Sequence, residues 1–359
     1  MLPRLKRLRE LMIREDVEAL WITHLKNCRY LSGFTGDRGE LLITQEEQFL
    51  LTDGRFTQQA SREAPHFTLV ELGVEPWRQR MELLASLKIR QLSFEGEHLS
   101  YACYQDLIQH KESFNLPLEV KPCRRMVERL REQKEPGEVE NIEKALRIAE
   151  EGFGYIAERL QPGWRERDGA LELEYFLGKR GSEGPAFPTI VASGPRSALP
   201  HGVASDRVLQ PGDVVVLDFG ATYGGYCSDF TRTLALGPVD PLWFKIHALV
   251  REAQEKAIDH IRAGIKAQEV DRVAREHLCR AGYGEYFVHG LGHGVGMEIH
   301  ESPSLSPKSA EELQPGMVIT VEPGVYLPGK GGVRLEDMVL VQEGGAEVLT
   351  RAPRELVIL

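Results

Sequence analysis

The sequence predicts an α/β domain over residues 1–125 followed by an α+β domain over residues 126–359. Three observations carry this. Short strand-like runs alternate with helical stretches through the first domain. Longer amphipathic helices then flank a set of apolar strand runs. Two pairs of those runs read as hairpins, and each hairpin carries two acids: Asp218 with Asp229, and Glu322 with Glu336.

In chain order, Leu2, Leu5, Leu8, Leu11 and Met12 recur at helical spacing, which predicts a surface helix packed on a sheet. The Arg and Lys residues between them are expected to form a solvated face. Strands follow at 19–23, 39–44 and 48–52, with turns at Gly33, Gly36 and Asp53-Gly54. A helix over 55–63, a strand over 67–72, a helix over 77–87, a strand over 91–95, a helix over 101–112 and a strand over 118–122 complete the first domain. The helical stretch 126–132 connects to Lys134-Glu-Pro-Gly137, a hinge or helix start. Helices then span 138–160 and 167–180, and a strand at 189–192 leads into the Gly/Pro-marked loop around His201. After the first acidic hairpin come helices over 241–263 and 267–281, a Gly/His-rich run at 290–301, and the second acidic hairpin.

Composition narrows the function. The 359 residues are 42% hydrophobic and 27% charged, ordinary for a globular protein. Acids outnumber bases 54 to 44, giving a net charge of −10. With no basic block beyond Arg4–Arg9, neither nucleic acid nor an anionic membrane is an expected partner. Five scattered cysteines without C-x-x-C point to a reducing compartment, the cytoplasm. The N-terminal helix lacks the apolar stretch of a signal peptide or a membrane span.

The chemistry lies in the acid pairs. If Asp218 faces Asp229, the pairing centre falls between Tyr223 and Gly224, a two-residue loop. Opposed carboxylates about 5 Å apart repel by about 3 kcal/mol at an effective dielectric near 20. The hairpin of Glu322 and Glu336 centres on Gly329, although Pro323 removes a ladder donor and implies an edge or a bulge. Four converging carboxylates call for cations, and two divalent ions would cancel their charge. Carboxylates with one imidazole suit Mn²⁺, Co²⁺, Fe²⁺ or Zn²⁺. Three candidate imidazoles, His289, His293 and His300, fall within twelve residues. Glycines at 290, 292, 294 and 296 argue for irregular or closely approached backbone, not for a helical H-x-x-x-H site.

Asp218 and Asp229, the run His293-Gly-Val-Gly-Met-Glu-Ile-His300-Glu, Glu322-Pro-Gly and Val-Arg-Leu-Glu336-Asp together resemble the five-ligand signature of the "pita-bread" metallopeptidases. That group includes methionine aminopeptidases, aminopeptidase P and prolidase. The loop Ala192-Ser-Gly-Pro-Arg-Ser-Ala-Leu-Pro-His201-Gly and the segment Arg29-Tyr-Leu-Ser-Gly-Phe-Thr-Gly resemble the proline-peptidase branch. The resemblance implies a creatinase-like N-terminal domain and a creatinase/aminopeptidase-like pita-bread catalytic domain. It implies Asp218, Asp229, His293, Glu322 and Glu336 as ligands of two divalent metals, Mn²⁺ or Co²⁺ before Zn²⁺ or Fe²⁺, with Asp229 and Glu336 shared. It further implies His201, His289 and His300 as catalytic and substrate-binding histidines, with Arg334 and Tyr326 on the substrate side. Two competing readings stay open: Arg334 pairing structurally with Asp337, and His201 merely stabilising its loop.

The expected activity is exopeptidase cleavage of the N-terminal Xaa-Pro bond by water activated between the metals, with Glu322 as general base and His300 or His289 donating to the oxyanion. Proline has no amide N–H and a fixed φ, so its peptides need a dedicated pocket. The N-terminal segment tilts the reading toward Xaa-Pro aminopeptidase, with Xaa-Pro dipeptidase as the alternative. A methionine aminopeptidase would generally lack the first domain. A metal-free creatinase-like hydrolase or a non-hydrolytic binding protein would be expected to have lost ligands, and all five are present. A homodimer is also implied.

Overall fold

The computed structural model describes residues 2–359. Its contacts divide into two compact units, Met1–Arg131 and Glu132–Leu359. The boundary expected after residue 125 therefore falls short. Val127 and Arg131 are buried, and Arg131 Nη1 donates to Asn27 Oδ1 at 2.7 Å, which ties the connector to the first unit.

The first unit runs α1 (Leu2–Arg14), β1 (Ala19–Ile22), α2 (Leu25–Ser32), β2 (Glu40–Thr44), β3 (Gln48–Asp53), α3 (Thr57–Glu63), β4 (Thr68–Leu72), α4 (Pro76–Leu87), β5 (Gln91–Glu95), α5 (Tyr101–Ser113), β6 (Glu119–Cys123) and α6 (Glu128–Arg131). Its sheet has the order β4-β3-β2-β1-β5-β6. β2 is antiparallel to both neighbours and the other pairs are parallel. Helical crossovers join the parallel pairs, as they must, and bury Trp21, Phe49, Met81, Phe94 and Leu107. This is the α/β unit expected.

Three details differ from expectation. Leu2 begins α1 and stays 55% exposed, outside the buried stripe of Leu5, Leu8, Leu11 and Met12. The basic face of α1 is not simply solvated: Arg4 Nη1 donates to Tyr30 O at 2.9 Å, and Arg9 Nε donates to Thr44 O at 2.9 Å. Helix α2 was not expected at all. Its eight residues hold too little periodicity to announce it, and it stops at Gly33, whose φ of 83° needs glycine.

The second unit continues α7 (Pro136–Ala157), α8 (Glu166–Lys179), β7 (Ile190–Ser193), β8 (Val214–Phe219), β9 (Thr222–Tyr223), β10 (Tyr226–Cys227), β11 (Phe230–Ala235), α9 (Pro241–His260), α10 (Ala267–Arg280), β12 (Gly292–Gly294), β13 (Glu301–Leu305), β14 (Val318–Val321), β15 (Gly324–Leu327), β16 (Gly331–Arg334), β17 (Asp337–Gln342), β18 (Gly345–Val348) and β19 (Val357–Ile358). Lys134-Glu-Pro-Gly137 is a helix start: Pro136 opens α7, and Glu135 N–H donates to Glu138 Oε2 at 2.8 Å. One sheet has the order β19-β11-β8-β7 and another β13-β12-β14-β17-β18. Helices α7 and α8 pack on the first, α9 and α10 on the second. Val250, Ala274, Ile319, Val325 and Val339 lie in the core between that second helix pair and its strands. Among the described residues no helix is long and apolar enough to cross a membrane.

The two acidic hairpins fold with different fidelity to expectation. Gly224 and Gly225, at φ 59° and 79°, form the two-residue loop between Tyr223 and Tyr226. Both positive φ values match a type I′ turn. The register therefore sets Thr231, not Asp229, opposite Asp218. The assumption that the two acids face each other directly was wrong by two residues. In the second hairpin Val321 pairs with Asp337 and Gly324 with Arg334. Across the break at Pro323, Glu322 and Glu336 hold opposed places, as expected.

Arg232 locks these parts together. Its side chain, 1% exposed, pairs with Asp337 Oδ1 at 2.9 Å and donates to the carbonyls of Thr231, Glu336, Ala352 and Pro353. Removing one partner of a buried pair leaves the other desolvated and unpaired, at about 3–5 kcal/mol. Arg232→Met is therefore expected to lower the unfolding free energy of the second unit, read from urea denaturation, by that much. Arg78→Ala, which breaks only pairs exposed by more than half, should cost less than about 1 kcal/mol.

Candidate metal and active site

Strand ends bring the acids together. Asp218 lies near the end of β8, and Asp229 directly precedes β11. Glu322 and Glu336 sit at the breaks between β14 and β15 and between β16 and β17. The backbone at those breaks bonds outside the hairpin: Glu322 N–H donates to Leu291 O at 2.8 Å, and Glu336 N–H to Thr231 O at 3.2 Å. His293 is the middle residue of β12, between β13 and β14. A Cβ on Gly292 would meet Thr320 O at 2.1 Å, and one on Gly294 would meet Ser302 O at 2.3 Å. The glycines flanking His293 thus serve close backbone approach, and the run is a short strand there.

Asp229, His293 and Glu336 each offer a ligand atom, all within 4.8 Å of one another. His293 Nε2 lies 3.5 Å from Asp229 Oδ2 and 3.4 Å from Glu322 Oε1. His293 Nδ1 sits 3.0 Å from Gly294 O, so the proton belongs on Nδ1 and Nε2 turns a lone pair toward two carboxylate oxygens. Burial, then the neighbouring His300, push the His293 pKa down to about 4, so the ring is neutral. Once those two carboxyls are ionised, the lone pair facing them calls for a cation between them.

The carboxylates say the same. Burial, then Glu336, Asp218 and Glu322, raise Asp229 well above the usual range. Glu336 is raised by burial and by Glu322 and Asp218, and Glu322 is pushed to about 8, chiefly by burial. Asp218 Oδ1 and Glu336 Oε1 are buried without a hydrogen-bond partner, as ligand oxygens awaiting a metal would be. Ionised together, the four carboxylates would leave three negative charges uncompensated by the one guanidinium of Arg334. The donor set fits divalent cations of the hard or borderline kind.

Arg334, 2% exposed, supplies that guanidinium. It pairs with Asp218 Oδ2 and donates to Tyr326 Oη at 2.7 Å, Pro200 O at 3.1 Å and Thr231 Oγ1 at 3.3 Å. The alternative pairing with Asp337 is not realised, because Arg232 and Arg354 occupy that carboxylate. Tyr326 Oη, having accepted from Arg334, lies 2.9 Å from His289 Nε2, and His289 Nδ1 lies 2.7 Å from Gly290 O. Both nitrogens of His289 are thus engaged, and burial with the Arg334 charge holds its pKa at about 4. His300 meets the His293 ring edge-on at 4.3 Å. His300 and His201 are exposed, and His201 lies close enough to lower the pKa of both His289 and His300.

Three threonines escaped the sequence reading. Thr231 Oγ1 donates to Glu336 Oε2 at 2.7 Å, and Thr320 Oγ1 donates to Glu322 Oε1 at 3.3 Å while accepting from His293 N–H at 3.0 Å. Thr233 Oγ1 accepts from Arg334 N–H at 3.1 Å. A signal existed: Thr231 is two residues after Asp229 and Thr320 two before Glu322, the spacing that shares a strand face.

A second cluster, His24, His98 and Glu128, also brings donor atoms within 4.8 Å. Its imidazoles stack in parallel, 3.9 Å apart at 2°, so their in-plane lone pairs do not converge on one ion. A hydrogen bond of 3.1 Å between His98 and Glu128 accounts for the contact.

The raised acids carry a pH signature. Their folded pKa values exceed the unfolded ones, so the metal-free native state holds extra protons, and its stability falls as pH rises from about 4 through about 8. The chelated protein should accordingly melt at a lower temperature at pH 8 than at pH 7, a window in which the buried histidines are neutral, and added Mn²⁺ should flatten that slope. A flat profile without metal would count against the assignment.

The metallopeptidase family M24 profile matches residues 140–343, and the creatinase/prolidase N-terminal domain profile matches residues 4–133. A solved structure of Xaa-Pro dipeptidase from Bacillus anthracis superposes with a TM-score of 0.96 at 41% identity, covering 100% of this chain and 99% of that one. The X-Pro aminopeptidase structure from Thermotoga maritima gives a TM-score of 0.90 at 39% identity, covering 95% and 97%. The Xaa-Pro dipeptidase of Pyrococcus furiosus is 40% identical over 353 residues, 98% of this chain and 99% of that protein. With both domains matched and these relatives in agreement, the chain belongs to metallopeptidase family M24.

Proposed function

We propose that the protein is a two-metal exopeptidase that hydrolyses Xaa-Pro bonds, with Asp218, Asp229, His293, Glu322 and Glu336 holding the metals. The observation that carries this is the His293 Nε2 lone pair directed at Asp229 and Glu322. Bound divalent ions would lower the pKa of water from about 15.7 toward about 7 and polarise a substrate carbonyl. The pocket is rich in carboxylates, which favours Mn²⁺ or Co²⁺ over softer ions.

The protein's own groups divide the remaining work. Glu322, with Thr320 on one carboxylate oxygen, is the general base within reach of a water among the ligands. His289 has both nitrogens engaged, so the oxyanion donor is His300, with His201 beside it at the exposed mouth. Arg334 and Tyr326 fix the wall next to Asp218 and hold the His201 loop through Pro200 O. The acidic lining meets the substrate's free α-amine, which restricts cleavage to the N-terminal bond.

Between the two finer readings we adopt the Xaa-Pro dipeptidase, supported by the names of the Bacillus anthracis and Pyrococcus furiosus relatives. The aminopeptidase reading, toward which the N-terminal segment tilts, has its support in the Thermotoga maritima relative. They differ in whether peptide beyond proline is accepted. Apoprotein reloaded with Mn²⁺ or Co²⁺ should hydrolyse Ala-Pro but not Ala-Pro-Ala. Comparable kcat/KM on the tripeptide would instead establish an aminopeptidase.

Asp229→Asn should remove bound metal, measured by elemental analysis, and lower activity by more than the roughly 10–100-fold typical of groups that only orient ligands. A metal-loaded, fully active variant would sink the ligand assignment.

A further inference from the structure

The stretch between α10 and β12 carries His289 but has few strand partners of its own. Apart from Leu291, whose N–H donates to Leu305 O at 2.7 Å and whose carbonyl accepts from Glu322 N–H at 2.8 Å, its backbone is held by two side chains of α10. Arg275 and Asp271 form a bidentate pair one helical turn apart, with Nε to Oδ2 and Nη2 to Oδ1 both 2.8 Å. Arg275 then donates Nη1 to Phe287 O at 2.9 Å and Nη2 to His289 O at 2.7 Å. Asp271, 1% exposed, also accepts Leu291 N–H at 3.1 Å. The pair thus takes up three backbone groups within five consecutive residues.

The side chains repeat the pattern. The Arg275 guanidinium lies 4.2 Å from the Phe287 ring centre. Phe287 in turn meets the His289 imidazole edge-on at 5.1 Å. From His289 the contacts run to Tyr326, to Arg334 and so to Asp218. Only a planar five-donor fork serves two carbonyls and a bidentate carboxylate at once; an ammonium does not.

We propose that Arg275, oriented by Asp271, is a positioning residue of the active site that sets the His289 imidazole, and through it Tyr326 and Arg334. This rests on the reading of His289 as an active-site group.

The test compares wild type, Arg275→Lys, His289→Ala and the double variant on Ala-Pro, with melting temperature and hydrogen exchange of segment 287–291. Arg275→Lys should lower kcat by about 10–100-fold, the scale of a small misplacement in the groups that position a substrate. KM and melting temperature should change little, and exchange across 287–291 should speed up. In the His289→Ala background the same substitution should add almost nothing. Asp271→Asn should show the same loss of kcat and faster exchange, with a lower melting temperature because it leaves the Arg275 guanidinium without its carboxylate. An equal loss in both backgrounds would make Arg275 a general structural residue and overturn the proposal. So would unchanged kcat and exchange, or full activity of His289→Ala. If wild type cleaves no Xaa-Pro peptide while Asp229→Asn still loses metal, the peptidase reading fails alone. Unaltered 287–291 exchange in Arg275→Lys would then overturn the clamp separately.

Discussion

Mutual repulsion of four buried or half-buried carboxylates around one imidazole is the constraint on which the catalytic unit depends. Each pair costs about 2–3 kcal/mol even with generous screening. The protein meets part of that cost with Arg334 on Asp218 and with protons retained by Asp229, Glu322 and Glu336. The remainder is left for cations. A pocket satisfied internally would have no affinity for metal. The orphaned oxygens of Asp218 and Glu336 are therefore the cost of function, borne by the well-packed sheets and helices around them.

Holding such groups apart and in place requires an oriented polar shell. Thr231 bridges Glu336 and Arg334, Thr320 bridges His293 and Glu322, and Arg232 ties the strands of Thr231 and Glu336 from behind. Glu336 and Asp218 thereby depend on neighbours from other segments of chain, Thr231 and Arg334, whereas Glu322 is held by Thr320 from its own segment. Helix α10 extends the same principle outward, through Asp271 and Arg275, to the loop that carries His289.

Much of this was legible beforehand, and the failures have particular causes. The register of the second hairpin could be centred on Gly329 because both strands flank one compact Gly-rich loop. The first was misplaced because Asp218 was taken to face Asp229 directly, which put the pairing centre between Tyr223 and Gly224. The real turn, Gly224-Gly225, sets them on the same side but offset, with Thr231 opposite Asp218. Helix α2 escaped notice because eight residues provide barely two turns of periodicity. The basic face of α1 was taken as solvated because its partners, Tyr30 O and Thr44 O, are backbone carbonyls, which sequence patterns do not mark.

The sequence by itself determined the two domain classes, the ligand residue types and their grouping on strands. Those properties follow from periodicity and from local charge, which are encoded over a few residues. Tertiary structure alone decided which nitrogen of His293 faces the acids, and that Arg334 belongs to Asp218 while Arg232 and Arg354 take Asp337. It also decided that both nitrogens of His289 are engaged. Those choices depend on hydrogen bonds between segments up to about a hundred residues apart, whose geometry exists only once the sheets have closed around them.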